Sequence, residues 1–166
     1  DQQNAEHYLR AHGRVGLHEP LCVSELAGGV SNMVLLVELI ERPHESFVLK
    51  QARAQLRTVQ PWYSSVERVW REAQVLRICD RLLHAAQATA SPPLRTPRIL
   101  FEDRDNYLFA MTAAPRPNVV WKHELLAGRV NEAIAASCGT LLGTLHGGSW
   151  RNAEIAAELG DTTLFD

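Results

Sequence analysis

Leu26-Ala27-Gly28-Gly29-Val30-Ser31-Asn32-Met33 sets a Gly-Gly turn between two apolar runs. Cys22 to Leu26 reads as a strand. Val34 to Ile40 reads as a stronger one, because nearly every residue in it is β-branched or aliphatic. Glu41-Arg42-Pro43-His44-Glu45-Ser46 is a polar turn with a proline inside it, and Phe47 to Gln51 is the next strand. Three strands joined by short polar turns predict an antiparallel meander.

Working outward, Arg53 to Trp62 is less regular, with a break at Pro61. A helix is predicted from Ser64, which has capping-box spacing to Glu67, and Val66, Val69, Trp70, Ala73 and Leu76 continue it as an apolar stripe to about Leu83 or His84. Ala90 to Pro97 is a loop by composition. Arg98 to Glu102 and Tyr107 to Thr112 flank the turn Asp103-Arg104-Asp105-Asn106 and complete a five-stranded sheet. Upstream, residues 5–18 suggest a short helix around Ala5, His7, Tyr8 and Leu9, ending near Gly13 or Gly16.

Ala113-Ala114-Pro115-Arg116-Pro117-Asn118 cannot continue a strand, because its two prolines lack amide donors. Beyond it, Trp121 to Ala127 is a short helix closed by Gly128, and Asn131 is a good cap for another. That helix carries Ile134, Cys138, Leu141, Leu142 and Leu145 on one face. Gly139 and Gly143 flank the face and would allow close packing, and Gly147-Gly148 would end the helix. Ser149 to Asp166 is at best partly helical. The expected fold is α+β: a five-stranded antiparallel sheet with one main helix (residues 1–112), a linker (113–118) and a helical region (119–166).

Composition bounds the function. The 166 residues are 46% hydrophobic and 22% charged, the balance of one ordinary globular domain. A net charge of -2 favours neither nucleic acid nor an anionic membrane. No apolar run approaches the roughly 20 residues that span a bilayer, and Asp1-Gln2-Gln3-Asn4 is not the start of a signal peptide. Cys22, Cys79 and Cys138 are far apart and odd in number, which argues for mostly buried, reduced thiols, no zinc site and a cytoplasmic location.

Three features carry chemistry. Two glycines let a backbone approach a ligand and aim amides at it, with the Ser31 hydroxyl and Asn32 beside them. Alone, this is also an ordinary hairpin turn. It is neither the dinucleotide fingerprint, since a strand follows, nor a Walker loop, since no Gly-Lys-Ser/Thr follows. Lys50 shares a sheet face with Val48, opposite Phe47 and Leu49, which suits a phosphate contact as well as a strand-end lysine reaching solvent. Glu72 lies three residues after Val69 and four before Leu76, on the packing side of the helix. A carboxylate there needs a partner unless it snorkels from the edge of the stripe, and Lys50 is the matching charge.

The order of Gly-rich turn, Phe47-Val48-Leu49-Lys50-Gln51-Ala52 strand and Val69-Trp70-Arg71-Glu72-Ala73 helix resembles the protein-kinase nucleotide lobe. With Tyr107-Leu108-Phe109-Ala110-Met111, Ala113-Ala114-Pro115 and Gly139-Thr140-Leu141-Leu142-Gly143-Thr144-Leu145-His146, residues 20–148 look like the aminoglycoside phosphotransferase family of small-molecule kinases. The Gly-Gly-Val-Ser-Asn turn and the Val-Trp-Arg-Glu helix are also similar to methylthioribose-kinase-like members. The resemblance implies a nucleotide lobe in residues 1–112 and the beginning of a helical lobe after the linker. Gly28, Gly29, Val30, Ser31 and Asn32 would cover the phosphates of ATP, and Lys50, held by Glu72, would bind the α- and β-phosphates. Met111 would back the adenine pocket, with the Thr112 carbonyl and Ala114 amide on the adenine edge. Members often carry an acid at Thr112, where only the backbone is needed.

Family members place the catalytic base in a His-Gly-Asp loop, followed by an asparagine and a metal-binding aspartate, beyond the helix that ends here at His146. No His-x-Asp occurs in this chain, Asp161 and Asp166 lack the context, and His146 reads as a structural residue at a helix end. Trp121 and Lys122 have no assigned role. The expectation is therefore the N-terminal part of a longer enzyme. It would use ATP and Mg2+ to phosphorylate a hydroxyl of a small molecule, with little kinase activity in these residues alone. The alternatives are a catalytically inactive nucleotide-binding or interaction module, and a purely structural α+β domain.

Overall fold

Five antiparallel strands form one sheet, with Leu21–Glu25 at one edge, then Asn32–Leu39, Phe47–Ala52 and Leu108–Thr112, and Ile99–Asp103 at the other edge. The computed structural model describes residues 2–26, 29–86 and 94–160. In chain order these form α1 (Gln2–Ala11), β1 (Leu21–Glu25), β2 (Asn32–Leu39), a 3-10 turn (Pro43–Glu45), β3 (Phe47–Ala52) and α2 (Arg68–Ala86). They continue with β4 (Ile99–Asp103), β5 (Leu108–Thr112), α3 (Trp121–Leu126), α4 (Glu132–Ser149) and α5 (Ala153–Leu159). The expected α+β class and five-stranded antiparallel sheet are present.

The chain divides into two compact units, Asp1–Ala73 with Arg98–Ala113, and Gln74–Pro97 with Ala114–Asp166. The break after Ala113 falls at the expected linker. Residues 74–97, expected within the first domain, group with the second unit, so α2 contributes to both.

In the first unit, alternation along the strands separates two faces. Leu35, Val37, Leu39, Phe47, Leu49, Leu108 and Ala110 form one buried cluster, joined by Ala5 and Leu9 of α1. This N-terminal helix, expected within residues 5–18 and found at Gln2–Ala11, therefore covers a sheet face. Leu36, Val48 and Phe109 are buried on the other face. Val69 and Ala73 of α2 are buried as well, and Glu72 between them bonds Lys50, which puts the start of α2 on this second face.

Local signals close the strands. The Ser46 hydroxyl accepts the Leu39 amide at 3.1 Å across the β2–β3 turn. Asp103 accepts the Asn106 amide at 3.1 Å in an Asx-type turn, after which Tyr107 adopts φ 48. The predicted start of α2 at Ser64 is four residues early. Residues 66–67 form a turn before Arg68, and Ser65 rather than Ser64 accepts the Glu67 amide, at 3.2 Å.

In the second unit, Gly128 has φ +75 and lies just past α3, as expected of a glycine stop. Asn131 caps α4 by accepting the Ala133 and Ile134 amides at 3.0 and 3.3 Å. Two expectations fail. α4 runs through Gly147-Gly148 to Ser149, because nothing in either position opposes helical φ. Close packing occurs at Gly148, where a Cβ would lie 2.8 Å from Leu82 Cδ2, whereas Cβ atoms at Gly139 and Gly143 would meet nothing within 4 Å. The cysteines are free, and Cys22, expected to be buried, is exposed because it points from the edge strand β1.

Candidate nucleotide site

The site lies on the second sheet face of the first unit. Register places Val34 opposite Lys50, and Leu36 and Met111 on either side of Val48. Lys50, Val48 and Met111 thus share a face, with Lys50 nearest the glycine turn. The Lys50 Nζ donates to Glu72 Oε1 at 2.5 Å, with 16% of the lysine side chain and 37% of the glutamate side chain exposed. An ammonium has three donors. Among the described residues Glu72 takes one, which leaves donors on a half-buried cation aimed by a helix.

The turn itself is tied back to the protein. Gly28 lies outside the described residues. Gly29 is not in the left-handed region, and a Cβ there would meet only Asn32 O at an ordinary 3.6 Å. Neither strain nor crowding among the described residues demands glycine at this position. The Val30 carbonyl accepts the Arg57 amide at 2.8 Å, and the Ser31 carbonyl accepts the Arg53 amide at 3.1 Å. Asn32 opens β2, and its Oδ1 is buried with no hydrogen-bond partner among the described residues. A buried acceptor left open beside a glycine turn carries a desolvation penalty that a donor from outside the chain would relieve.

Residues 54–64, irregular by sequence, form a small hairpin. Gln55 bridges Tyr63, the Leu56 amide reaches Trp62 O at 2.8 Å, and the Ser64 amide reaches Ala54 O at 3.0 Å. Arg57 in this hairpin pairs with Glu25 of β1 at 2.6 Å. Sequence reasoning also missed Arg68. Its guanidinium reaches the carbonyls of Ser31, Arg53, Ser64 and Ser65. Its acceptors are all backbone carbonyls, so no side-chain pattern in the sequence signals it.

No family model matches the chain, and no curated protein matches it.

Two further expected residues, Thr112 and Ala114, lie at the end of β5 and just after it. Thr112 ends β5, with its amide on Arg98 O at 2.9 Å and its hydroxyl accepting the Arg98 amide at 3.0 Å. Ala114 falls in the second unit, where the Asn118 side chain donates to the Ala114 and Pro115 carbonyls at 3.5 and 3.1 Å. His146 is an exposed residue inside α4 whose carbonyl accepts the Trp150 amide at 2.9 Å, and Lys122 is exposed. Among the described residues, no group of three or more His, Cys, Asp or Glu side chains is placed to hold a metal ion, and no helix is long and apolar enough to cross a membrane.

Proposed function

We propose that this chain is the ATP-binding part of a small-molecule kinase of the aminoglycoside-phosphotransferase type. The observation that carries the reading is the Lys50–Glu72 ion pair at 2.5 Å, on β3, beside the strand β2 that follows the glycine turn and opens at Asn32, whose Oδ1 has no partner among the described residues. Phosphoryl transfer asks mainly for positioning and charge stabilisation. A lysine held by a helix carboxylate supplies a fixed positive charge for the α- and β-phosphates. The glycine turn would supply backbone amides, and Met111, half-buried beside the buried Val48, would offer an apolar contact to the adenine ring. In the in-line reaction an acceptor hydroxyl oxygen bonds to the γ-phosphorus as the bridging bond to ADP breaks, and the hydroxyl proton leaves to a base. Lys50 and the glycine turn would bind and orient the nucleotide, and the family resemblance places the Mg2+ ligands beyond the helix that carries His146.

The test is calorimetric titration of ATP into the native chain and Lys50→Met. The native chain binds, and the variant loses about tenfold or more in affinity, the scale of a lost charge-assisted contact, with an unchanged far-UV spectrum. Equal affinity in the two would remove Lys50 from the site. No ATP binding by the native chain would leave a structural α+β domain.

A further inference from the structure

Arg68, the first residue of α2, holds backbone from three stretches of chain. One terminal nitrogen donates to Ser31 O at 2.5 Å and Arg53 O at 2.9 Å. The other donates to Ser64 O at 3.2 Å and to Ser65 O. These carbonyls belong to the glycine turn, to the exit from β3 and to the approach to α2. A planar guanidinium fork can satisfy such a set in fixed geometry, whereas a lysine ammonium on a flexible stem cannot.

The consequence for the turn follows from peptide geometry. In a trans peptide the C=O and the next N–H point in opposite directions. The Ser31 carbonyl is held toward β3 by both Arg68 and the Arg53 amide, so the Asn32 N–H points away from β3, to the side of β2 that faces β1. The Val30 carbonyl is held by the Arg57 amide, which fixes the Ser31 N–H in the same manner. Four residues on from Arg68, Glu72 projects from the same face of α2 and grips Lys50. One rigid turn of helix therefore sets both the direction of the turn's amides and the position of the ammonium.

We propose that Arg68 is a positioning residue that locks the 31–32 peptide in the orientation needed for backbone binding of phosphate, an inference that rests on the ATP-binding reading above. Arg68 touches no nucleotide itself. It couples the glycine turn to the same helix that holds Lys50, so loosening either contact weakens phosphate binding while leaving the adenine surface of Val48 and Met111 in place.

The test compares the native chain, Arg68→Met and Arg68→Lys by two readouts. Affinities for ATP and for adenosine separate phosphate from base recognition. Amide hydrogen exchange of the unliganded chain reports the turn directly. Both variants should bind ATP about tenfold more weakly, the scale of one charge-assisted hydrogen bond, with adenosine affinity unchanged. Amides at 29–34 should exchange about tenfold faster while those of β4 and β5 keep their rates. ATP affinity unchanged in Arg68→Met, an equal loss for ATP and adenosine, or unchanged exchange at 29–34 would each overturn the proposal. Should the native chain bind no ATP, the phosphate role falls with the ATP-binding reading, and the exchange data alone decide whether Arg68 holds the turn.

Discussion

At the scale of single residues, a polar contact on the opposite sheet face controls the docking of α1. The Tyr8 hydroxyl donates to Asp103 Oδ2 at 2.6 Å, joining the N-terminal helix to the end of β4. Burial, reinforced by that carboxylate, pushes the Tyr8 hydroxyl well above its ordinary pKa. Asp103 is held below the usual carboxylate range, first by the Tyr8 hydroxyl and then by the Asn106 side chain and amide. A carboxylate whose pKa is lower in the folded than in the unfolded chain contributes stability that is present above its unfolded pKa. That stability is lost as pH falls through the folded value. Tyr8→Phe should therefore lower stability at neutral pH by about 1–2 kcal/mol, as expected for a hydrogen bond to a charged acceptor. It should also flatten the acid limb of the stability curve over roughly pH 2 to 5. Urea titrations of the two proteins across that range measure both effects, and parallel curves would show that Asp103 draws its shift from elsewhere. The Lys50–Glu72 pair was legible in the sequence because an acid on an apolar helical stripe and a lysine on an apolar strand each lack a partner locally. Arg68 was not, because its acceptors are carbonyls, which leave no trace in side-chain identity.

At the scale of elements, backbone chemistry is read most clearly where a single residue decides the outcome. Gly128 stops α3 and Asn131 starts α4, both as expected, since each acts through bonds to residues within three positions. Asn131→Ala should cost about 1 kcal/mol through loss of the cap. The glycines inside α4 behave otherwise. Helical conformation is accessible to glycine at the expense of backbone entropy, and at Gly139 and Gly143 a Cβ meets nothing within 4 Å. Gly139→Ala with Gly143→Ala should therefore gain about 0.5–1 kcal/mol per site and raise the thermal midpoint of α4. A lower midpoint would mean that these positions pack closely against something outside the described residues. The strands were legible from their aliphatic runs, and no strand end moved by more than two residues. The late start of α2 was not legible, because Ser64 and Glu67 have the spacing of a capping box while residues 54–64 are drawn into a hairpin whose pairing depends on tertiary contacts with the glycine turn.

At the scale of the whole molecule, the two units differ in how much core they own. The first buries both sheet faces, with Leu9, Val37, Val69 and Phe109 almost wholly enclosed. In the second, the buried apolar residues among those described are Ile78, Leu83 and Ile155, and α4 has none. Burial of apolar surface is the main favourable term in folding, so the second unit should open at lower free energy than the first. The division after Ala113 falls just before the two prolines, Pro115 and Pro117. The assignment of residues 74–97 to the second unit was not legible, because α2 is one continuous helix and nothing in its stripe marks where its packing partners change. Hydrogen exchange provides the test. In the free chain, amides of α3 and α4 should exchange faster than those of β2, β3 and β5. ATP at about a hundred times its dissociation constant should stabilise the unit that binds it by ~2.7 kcal/mol. Exchange through opening of the first unit would then slow about a hundredfold in β2, β3 and the first turn of α2. If the phosphates are held by the turn, Lys50 and the start of α2, the added protection will be confined to the first unit and leave α4 unchanged. Equal slowing in α4 would mean instead that the two units open as one, with nucleotide stabilising the whole chain through α2.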